Sequence, residues 1–396
     1  MAAATGPRTW DLRPALPPVI APAGPGEVRG DARISGMTLE HTVRLRFGDR
    51  SRAAATHTNL SAVRADGAVL WVAGDETATV ERLVADDPHR PTEFGDETTF
   101  RLADLVELPG ADGEEEADLE GLARTGHFLW AVGSHSLRRR QIKARHDDAK
   151  ALKRLGRVEG QDNRQILVRL PITEVGGLPT PVRKIVVDGR TERAAILAGR
   201  GNLRALLADD DHLAPFLAIP GKDNGLDIEG IAVHGERVYL GLRGPVLRGW
   251  AFVLEVRPYP DPADPGRLLL RPFDDGRPYR KHVLDLDGLG VRDLCPDGDD
   301  LLVLAGPTMN LDGPVRIYRW RGACQVKMPA VVRGEVLSRE LELPYGEGDD
   351  HAEGIGLLAP REQGRVLVVY DSPAAARLTD DGAVVADVVR LPPGNA

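Results

Sequence analysis

Short apolar runs separated by polar turns recur along most of this chain, a pattern typical of β-strands. Three of the runs follow nearly identical phrases, DLEGLA at 118–123, DIEGIA at 227–232 and HAEGIG at 351–356. A polar turn containing Gly comes after each phrase, and the apolar runs then occupy 128–132, 238–242 and 366–370. Two strands joined by a tight turn explain this pattern. The sequence therefore predicts three hairpins of one design.

Two weaker copies of the same unit complete the series. One begins at 59–63 and leads into the apolar run 69–73, and the other begins at 290–294 and leads into 301–305. Aligning the five copies puts one residue of each at an equivalent position: Ser61, Glu120, Glu229, Arg292 and Glu353. Successive members of this set are 59, 109, 63 and 61 residues apart. A self-similar unit of about sixty residues indicates a repeat fold, with one interval nearly doubled.

Further strands are predicted after each hairpin. In the first, third and fourth units they fall at 78–84, 98–102 (continuing to 108), 250–256, 282–286, 315–320 and 335–343. Each unit then has two apolar inner strands and two more polar outer strands, which is the design of a propeller blade. We predict an all-β propeller of five four-stranded blades, beginning near residues 59, 117, 226, 290 and 351. Six blades are the alternative if one blade has lost its motif.

The two ends of the chain are expected to differ in order. Residues 1–35 are rich in Pro, Ala and Gly and are predicted to form a flexible arm, whereas 36–396 form a single propeller domain. The segment 38–47 alternates as a strand does. Together with one or two strands from 374–391, it would complete the last blade, so that both ends of the chain close the ring.

The long second interval is expected to contain two insertions, at 138–163 and 190–220. Outer strands are predicted at 165–170 and 181–187, and Asn202 begins a segment with a cap signal and helical spacing. The first insertion is basic, with nine Lys and Arg residues from Arg138 to Arg157. We interpret it as a solvated helix or a mobile segment. The alternatives are docking of an acidic partner and a lid over the acidic end of the propeller channel.

The composition excludes several classes of protein. A net charge of −9 argues against general binding of nucleic acid, which needs a basic face. The two cysteines, Cys295 and Cys324, provide neither a disulfide framework nor a metal cluster and are expected to be reduced thiols. The N-terminal residues lack the pattern of a secretion signal, and no apolar run reaches the roughly eighteen residues of a membrane span. A cytoplasmic protein without a membrane segment is expected.

The repeated phrases and two further motifs carry a family resemblance. The chain resembles a bacterial family known as domain-of-unknown-function family 3616 over residues 36–392, through DIEGIA at 227–232, GLRGPV at 241–246, and GVRDL at 290–294 followed by LAGPT at 304–308. The resemblance implies a propeller-like β fold and brings no activity, substrate or cofactor. The chain is more distantly similar to the six-bladed lactonase-like and phytase-like propellers, which hold calcium on the axis with carboxylates. That second similarity concerns the fold alone.

An acidic ring is predicted at one mouth of the central channel. If the equivalent position begins the innermost strand of each blade, the three Glu residues, Arg292 and Ser61 share that mouth. Residues two positions earlier point to the same side of each strand and add Asn59, Asp118, Asp227 and His351. Converging carboxylates repel one another and must bind a proton, a basic group or a metal ion. We therefore predict a Ca²⁺ or Mg²⁺ site, with these ligands: Glu120, Glu229, Glu353, Asp118 and Asp227.

A second ring is predicted just beyond the second strand of each hairpin, where Asp75, Ser134, Arg243 and Asp371 occupy matching places. If this strand returns to the acidic mouth, both rings face one pocket. Arg243 would clamp an anionic group there, because a guanidinium binds carboxylate or phosphate in a bidentate manner. The predicted ligand-binding residues are Arg243, Arg292, Asp75, Asp371 and His351.

The same cluster has a purely architectural interpretation. The Glu residues would then accept hydrogen bonds from the next blade, and the Gly after each would permit close approach of the strands. Arg243 would pair with Asp227 or Glu229, and Arg292 with a neighbouring Glu.

Three functions from different classes follow from these interpretations. The first is a propeller that binds a small molecule or a protein partner at an acidic axial pocket, with Ca²⁺ or Mg²⁺ in it. The second is a metal-assisted hydrolase of an ester, lactone or phosphate, in which Arg243 or Arg292 orients the substrate. The third is a structural scaffold. No serine-hydrolase elbow, zinc-protease, nucleotide-binding or dithiol motif occurs to decide between them, so enzymatic activity is undecided.

Overall fold

Strands account for most of the regular structure in the computed structural model, which describes residues 39–110, 115–309, 311–359 and 361–392, the side chain of Glu362 excepted. The predicted flexible arm at 1–35 lies outside the described residues. The strands, in chain order, are β1 (Leu39–Arg46), β2 (Leu60–Asp66), β3 (Val69–Gly74), β4 (Thr79–Ala85), β5 (Glu93–Arg101), β6 (Leu119–Thr125), β7 (Phe128–Gly133), β8 (Arg138–Arg139), β9 (Val158–Glu159), β10 (Leu167–Val175), β11 (Leu178–Pro181), β12 (Lys184–Val187), β13 (Arg190–Arg193), β14 (Ala195–Leu197), β15 (Asp227–His234), β16 (Arg237–Leu247), β17 (Trp250–Val256), β18 (Pro258–Pro260), β19 (Leu268–Leu270), β20 (Tyr279–Asp285), β21 (Gly290–Asp297), β22 (Asp300–Gly306), β23 (Val315–Trp320), β24 (Val331–Val332), β25 (Leu337–Leu343), β26 (His351–Leu357), β27 (Arg365–Asp371) and β28 (Ala383–Arg390).

Helices are short by comparison. The α-helices in the described ranges are α1 (Asp49–Ala53), α2 (Asp148–Leu155) and α3 (Leu203–Leu206), with short 3₁₀ turns between strands. Asn202 caps α3, its side chain accepting a hydrogen bond from the Ala205 amide, as the sequence predicts. No helix in this part of the chain is long and apolar enough to cross a membrane.

The strands assemble into sheets that follow the predicted units. The main sheet orders are β2–β3–β4–β5, β6–β7–β10–β11, β15–β16–β17–β20 and β21–β22–β23–β25, while β26, β27 and β28 continue into β1. Neighbouring strands within each of these units run antiparallel. The first hairpins turn through glycines with positive φ, such as Gly67 at 64° and Gly298 at 63°. Residues with a side chain rarely adopt that conformation, which is why Gly follows Asp in these turns.

The first strands of the five units form a closed ring. Strand β2 contacts β6, β6 contacts β15, β15 contacts β21, β21 contacts β26, and β26 returns to β2. The all-β, propeller-like class predicted from the sequence is therefore confirmed. The apolar side chains of the inner strands pack between adjacent sheets in several buried clusters.

Both ends of the described chain meet in one sheet. Strand β1 pairs antiparallel with β28, from Leu39 opposite Val389 to Arg46 opposite Ala383. Its other edge pairs in parallel with β5 through Arg44 and Leu45. The N-terminal strand thus supplies the last position of the final unit, as expected, and links that unit to the first.

Close approach of the inner strands depends on the Gly that follows each Glu. A Cβ added at Gly121 would lie 3.1 Å from the Glu229 carbonyl oxygen, and one at Gly230 would lie 2.9 Å from backbone atoms of Asp293 and Leu294. Gly354 faces Val63 in the same way. The architectural explanation for these glycines is therefore confirmed.

Two expected boundaries are wrong in detail. The predicted outer strand at 181–187 is divided: β11 pairs with β10, whereas β12 leaves the sheet and pairs with β13 in a separate hairpin. The turn between β12 and β13 contains Asp188 and Gly189, both with positive φ, so a local hairpin satisfies this backbone instead. Strand β5 ends at Arg101 and continues as a 3₁₀ turn rather than to residue 108. The segment 374–391 supplies one outer strand, β28, in agreement with the expected one or two.

Aspartate at a buried position of β1 should open the ring. Val43 is fully buried and Thr42, its neighbour on the same strand, is exposed. We expect Val43→Asp to lower the free energy of unfolding by about 3 kcal/mol or more, because it buries an unpaired charge. Thr42→Asn, the control at the exposed neighbour, puts no second carboxylate opposite Asp387 and should stay within about 0.5 kcal/mol of wild type in urea unfolding. Equal losses in the two variants would contradict the closure by β1.

A methyl group at Gly230 should separate two inner strands. We expect Gly230→Ala to lower the free energy of unfolding in urea by about 1–3 kcal/mol. The added Cβ would clash with backbone atoms of the neighbouring strand, which can move only if the strand moves. Gly356→Ala is the matched control on β26, where the nearest atom would lie 3.4 Å away. If Gly356→Ala proves as damaging as Gly230→Ala, strand approach does not explain the glycine.

Candidate functional site

A β-bulge marks the equivalent position in every inner strand. The pairing register shifts between Leu60 and Ala62, Leu119 and Gly121, Ile228 and Gly230, Val291 and Asp293, and Ala352 and Gly354. The residue skipped each time is Ser61, Glu120, Glu229, Arg292 or Glu353. A bulge redirects the side chain of the unpaired residue. The alignment made from sequence therefore corresponds to one repeated structural feature.

Guanidinium groups neutralise most of the carboxylates at the channel mouth. Arg292 Nη1 lies 3.3 Å from Glu229 Oε2 and also bonds Glu353, so one group bridges two inner strands. Arg243 bonds Asp227 and places its Nη1 2.7 Å from Glu229 Oε1. Arg243, Arg292, Asp227 and Glu229 are all buried. The expectation that Arg243 and Arg292 pair with neighbouring carboxylates is confirmed.

Arg164 forms a third ion pair that the sequence reasoning missed. Its guanidinium bonds Asp118 and lies 3.4 Å from Glu116 Oε1, and it donates to the hydroxyl groups of Ser134 and Ser136. Arg164 ends the 3₁₀ turn Asp162–Arg164 just before β10. Arg164 comes directly after the basic insertion, so the sequence could not distinguish this buried arginine from the exposed ones before it.

Three carboxyl groups at the mouth have no guanidinium partner among the described residues. Glu120 makes no hydrogen bond or ion pair there, and the buried Oδ1 of Asp75 has no hydrogen-bond partner. Asp371 accepts only from its neighbour Ser372, whose hydroxyl lies at 3.3 Å. We call Glu120, Asp75 and Asp371 the open carboxyl set. These groups come from the second, first and fifth units, respectively.

Burial and mutual repulsion raise the pKa values of the open carboxyl set. Burial, followed by the charges of Asp118, Asp371 and Glu353, raises the pKa of Asp75 to about 8. Burial and Glu353 raise the pKa of Asp371 to about 6. The pKa of Glu120 lies well above its usual range, through burial and then the neighbouring acids. The predicted convergence of the two rings on one site is thus supported by the groups that act on one another.

Lys222 is a second residue that sequence reasoning did not single out. It is exposed, lies in the 3₁₀ turn Gly221–Asp223 before β15, and its charge lowers the pKa values of Asp75 and Asp371. It has no hydrogen bond or ion pair within the described ranges. An ammonium group at this place therefore acts on the open carboxyl set from a distance.

The other predicted residues of the mouth have local partners. His351 pairs with Asp371 across β26 and β27, but its Nε2 lies 3.2 Å from Asp312 Oδ1 at the surface. Ser61 donates to the Leu119 carbonyl oxygen and so joins β2 to β6. The side chains of His351 and Ser61 therefore bond other groups and not the open carboxyl set.

A buried ion pair lies further along the inner strands. Arg64 donates to the carbonyl groups of Leu122, Ile355 and Leu294 and lies 3.2 Å from Asp293 Oδ1. Asp293 also accepts from the Ile355 amide at 2.9 Å. This single guanidinium therefore connects β2, β6, β21 and β26.

The basic insertion begins beside the mouth. Arg138 Nη1 lies 3.2 Å from Glu116 Oε2, and Arg139 Nε lies 2.6 Å from Asp223 Oδ2. Helix α2 beyond them has no buried residue, in agreement with the interpretation as a solvated helix. The lid and the docking role of this insertion stay predictions.

The arrangement bears on the predicted metal. Among the described residues, no group of three or more His, Cys, Asp or Glu side chains is arranged to hold a metal ion. Of the five predicted ligands, Asp118, Asp227, Glu229 and Glu353 each bond a guanidinium. Glu120 is the exception. The metal site stays a prediction, and the observed chemistry is that of a neutralised acidic ring with one open side.

Comparison with known proteins identifies a family and gives weak structural likenesses. The family described as "Protein of unknown function (DUF3616)" matches residues 59–387. No curated protein matches the sequence. Among solved structures, a protein assigned as an oxidoreductase (glucose dehydrogenase) from Thermus thermophilus has 15% identity and a TM-score of 0.34, with 83% of this chain and 96% of that chain covered.

Two further solved structures are similar to a comparable degree. Hydrazine synthase from Kuenenia stuttgartiensis has 10% identity and a TM-score of 0.30, with 87% of this chain and 66% of that chain covered. A protein assigned as a 6-phosphogluconolactonase from Bacteroides uniformis has 13% identity and a TM-score of 0.29, with 84% and 71% covered. At TM-scores this low, the likeness carries no argument about function.

Removing the Arg292 charge should make the stability depend more steeply on pH. Burial raises the pKa of Glu229 to about 8, although Arg243 and Arg292 lower it. In Arg292→Met this carboxyl would hold its proton more strongly in the folded than in the unfolded state. Such a group stabilises the fold below its unfolded pKa and loses that contribution as the pH rises through the folded value.

We therefore expect Arg292→Met to lower the free energy of unfolding in urea by about 3–5 kcal/mol at pH 8 and by clearly less at pH 5. Arg339→Met removes an exposed guanidinium 3.5 Å from Glu342 and serves as the control with little loss at either pH. A loss for Arg292→Met that is the same at both pH values would contradict its role in neutralising Glu229 and Glu353.

Proposed function

Because the chain belongs to the DUF3616 family, whose description gives no activity, we propose a function from the geometry alone. The protein is a five-bladed propeller that binds the cationic group of an organic ligand at the acidic mouth of its channel. The blade count rests on the ring of five inner strands, each followed by its own set of antiparallel strands. The binding role rests on the open carboxyl set.

The observation that carries the binding role is the absence of partners for Glu120 and for Asp75 Oδ1 within the described residues. The buried Oδ1 of Asp75 lacks a hydrogen bond, which is costly, whereas the half-buried carboxyl group of Glu120 is unpaired but partly exposed. The pKa values raised by this burial mean that protons occupy part of the site near neutral pH. A ligand cation would replace those protons and satisfy the same oxygens.

An ammonium or guanidinium group fits this site better than a divalent metal. Calcium takes six to eight oxygen ligands, whereas four of the five predicted ligands already bond arginine. An organic cation needs only a few acceptors and can share them with Lys222. The Ca²⁺ or Mg²⁺ prediction is therefore the alternative that the experiment has to separate.

The hydrolase hypothesis gains no specific support from the geometry. It requires Arg243 or Arg292 to orient a substrate, and both groups bond carboxylates of the protein. The scaffold hypothesis explains those pairs and the glycines, but it gives no reason for the open carboxyl set. Binding is the function that accounts for all three features.

A calorimetric titration of the protein with spermidine at pH 8 tests the proposal. We expect saturable binding that Glu120→Gln weakens about tenfold or more, since a charge-assisted hydrogen bond is lost. Binding should weaken as the pH falls from 8 to 5, because Asp75 and Asp371, with pKa values of about 8 and 6, become protonated. Glu236→Gln removes an exposed carboxylate paired with Arg271 and should bind as wild type does.

The metals are tested separately on the wild-type protein. A thermal shift with CaCl₂ or MgCl₂ that Glu120→Gln abolishes, without spermidine binding, would support the metal alternative and overturn the organic cation. No binding of either kind would favour the scaffold.

A further inference from the structure

A basic cleft lies away from the channel mouth, between the sheet of β16, β17 and β20 and the 3₁₀ turn Ala323–Gln325. Its volume is about 570 Å³. Four basic side chains line it together with one aromatic ring and one acid: Arg237, Arg257, Arg280, Lys327, Phe273 and Asp274. We call this the basic cleft. None of its lining residues belongs to the acidic mouth.

Arg280 is the central group of the basic cleft. Its side chain is only 9% exposed, yet its guanidinium makes no hydrogen bond to any residue in the described ranges. The nearest carboxylate oxygen is Glu255 Oε1, 3.8 Å from Nη1. A guanidinium carries five donors, and those of Arg280 are not buried away from solvent, so they remain accessible from the cleft. The donors of Arg280 are thus left for an acceptor that the fold does not supply.

The carboxylate beside Arg280 is already shared. Glu255 is fully buried and lies 3.4 Å from Arg237 Nη1 and 3.0 Å from His282 Nε2. Arg237 also donates to the carbonyl groups of Cys324 and Val326, which holds it at the wall of the cleft. One carboxylate therefore cannot satisfy both guanidinium groups.

Aromatic stacking holds two of the basic groups in place. The guanidinium carbons of Arg280 and Arg257 lie 4.0 and 4.4 Å from the centroid of the Phe273 ring. Arg257 donates in addition to the Pro272 carbonyl oxygen. These contacts keep two mutually repelling cations at fixed positions, so a ligand would not have to order them.

The charges of the basic cleft do not balance. Four basic side chains line or adjoin three carboxylates, of which Asp274 lines the cleft, Glu255 lies behind it and Asp299 bonds the lining Gln325, so an excess of one positive charge remains. The protein as a whole has a net charge of −9, so this excess is local. Lys327, at the rim, is exposed and without a partner within the described residues. This local excess of basic groups favours the binding of an anion.

We propose that the basic cleft binds a small phosphomonoester, whose dianionic phosphate group accepts hydrogen bonds from Arg280 and Lys327 beside Arg257. Arginine is suited to this role because its planar fork matches phosphate oxygens in a bidentate manner. The cleft is larger than a phosphate ion needs and falls in the range of small-molecule sites, about 300–1,000 Å³. The remainder of the ligand would occupy that space.

Calorimetric titration of the full chain with inorganic phosphate and with glycerol 3-phosphate tests this proposal. We expect saturable binding of both, tighter for the ester if the remaining space is used. Arg280→Gln should weaken binding about tenfold or more, and Lys327→Gln several-fold. Arg271→Gln makes the same change of charge outside the cleft, where Arg271 pairs with Glu236, and should leave binding unchanged.

Each outcome of the titration bears on the proposal. No saturable binding up to about 10 mM of either compound would overturn it. Equal weakening by Arg271→Gln and Lys327→Gln would overturn it as well, because the effect would then be one of net charge. Lys327 is exposed, so its variant keeps the test valid even if Arg280→Gln fails to fold. Spermidine binding at the acidic mouth is a separate readout that these variants should not change.

Discussion

The inner strands of this protein approach one another so closely that the charges at their bulges share one poorly solvated site. The glycines after Glu120, Glu229 and Glu353 make that approach possible, because a Cβ at Gly230 would meet the backbone of the next strand. Charges that are brought together in this way interact strongly and must be balanced locally. Arg243 and Arg292 supply the balance for the third, fourth and fifth units.

A second buried arginine level fixes the ring. Arg64 reaches from the first unit to carbonyl groups of three other inner strands and to Asp293, and burial raises the pKa of Asp293 to about 7 although Arg64 lowers it. A buried ion pair contributes little net stability, since desolvation offsets the attraction. It has a larger effect on the arrangement of the strands, because the planar guanidinium fits only one such arrangement. Arg64, Arg243 and Arg292 therefore determine the geometry of the contacts between units more than the free energy of those contacts.

The repeated phrases were sufficient to predict the class, the ring of inner strands and the equivalent position at which each inner strand has a bulge. A residue at the same position of each repeat lies at the same level of each blade around the propeller axis. The bulge found at this position in all five inner strands agrees with this. Contacts made by single residues outside the repeat were harder to predict. Arg164 and Lys222 lie in short 3₁₀ turns whose course has no periodicity, and β12 left the sheet because Asp188 and Gly189 favour a local turn. The sequence allowed Arg243 and Arg292 either to pair with carboxylates of the protein or to bind a ligand, and only the interatomic distances show the ion pairs.

The asymmetry of the ring distinguishes residues that the repeat makes equivalent. Glu120 and Glu229 occupy the same bulge in the same phrase, but their neighbours differ. Glu229 forms ion pairs with Arg292 of the next strand and Arg243 of its own hairpin, whereas Glu120 acts on the same two arginines only from a distance and forms an ion pair with neither. Arg164, a cation of that unit, bonds Asp118 instead. One side of the mouth is therefore neutralised by ion pairs, while the other keeps unpaired oxygens. The proposed binding role uses that difference, and the scaffold interpretation leaves it unexplained.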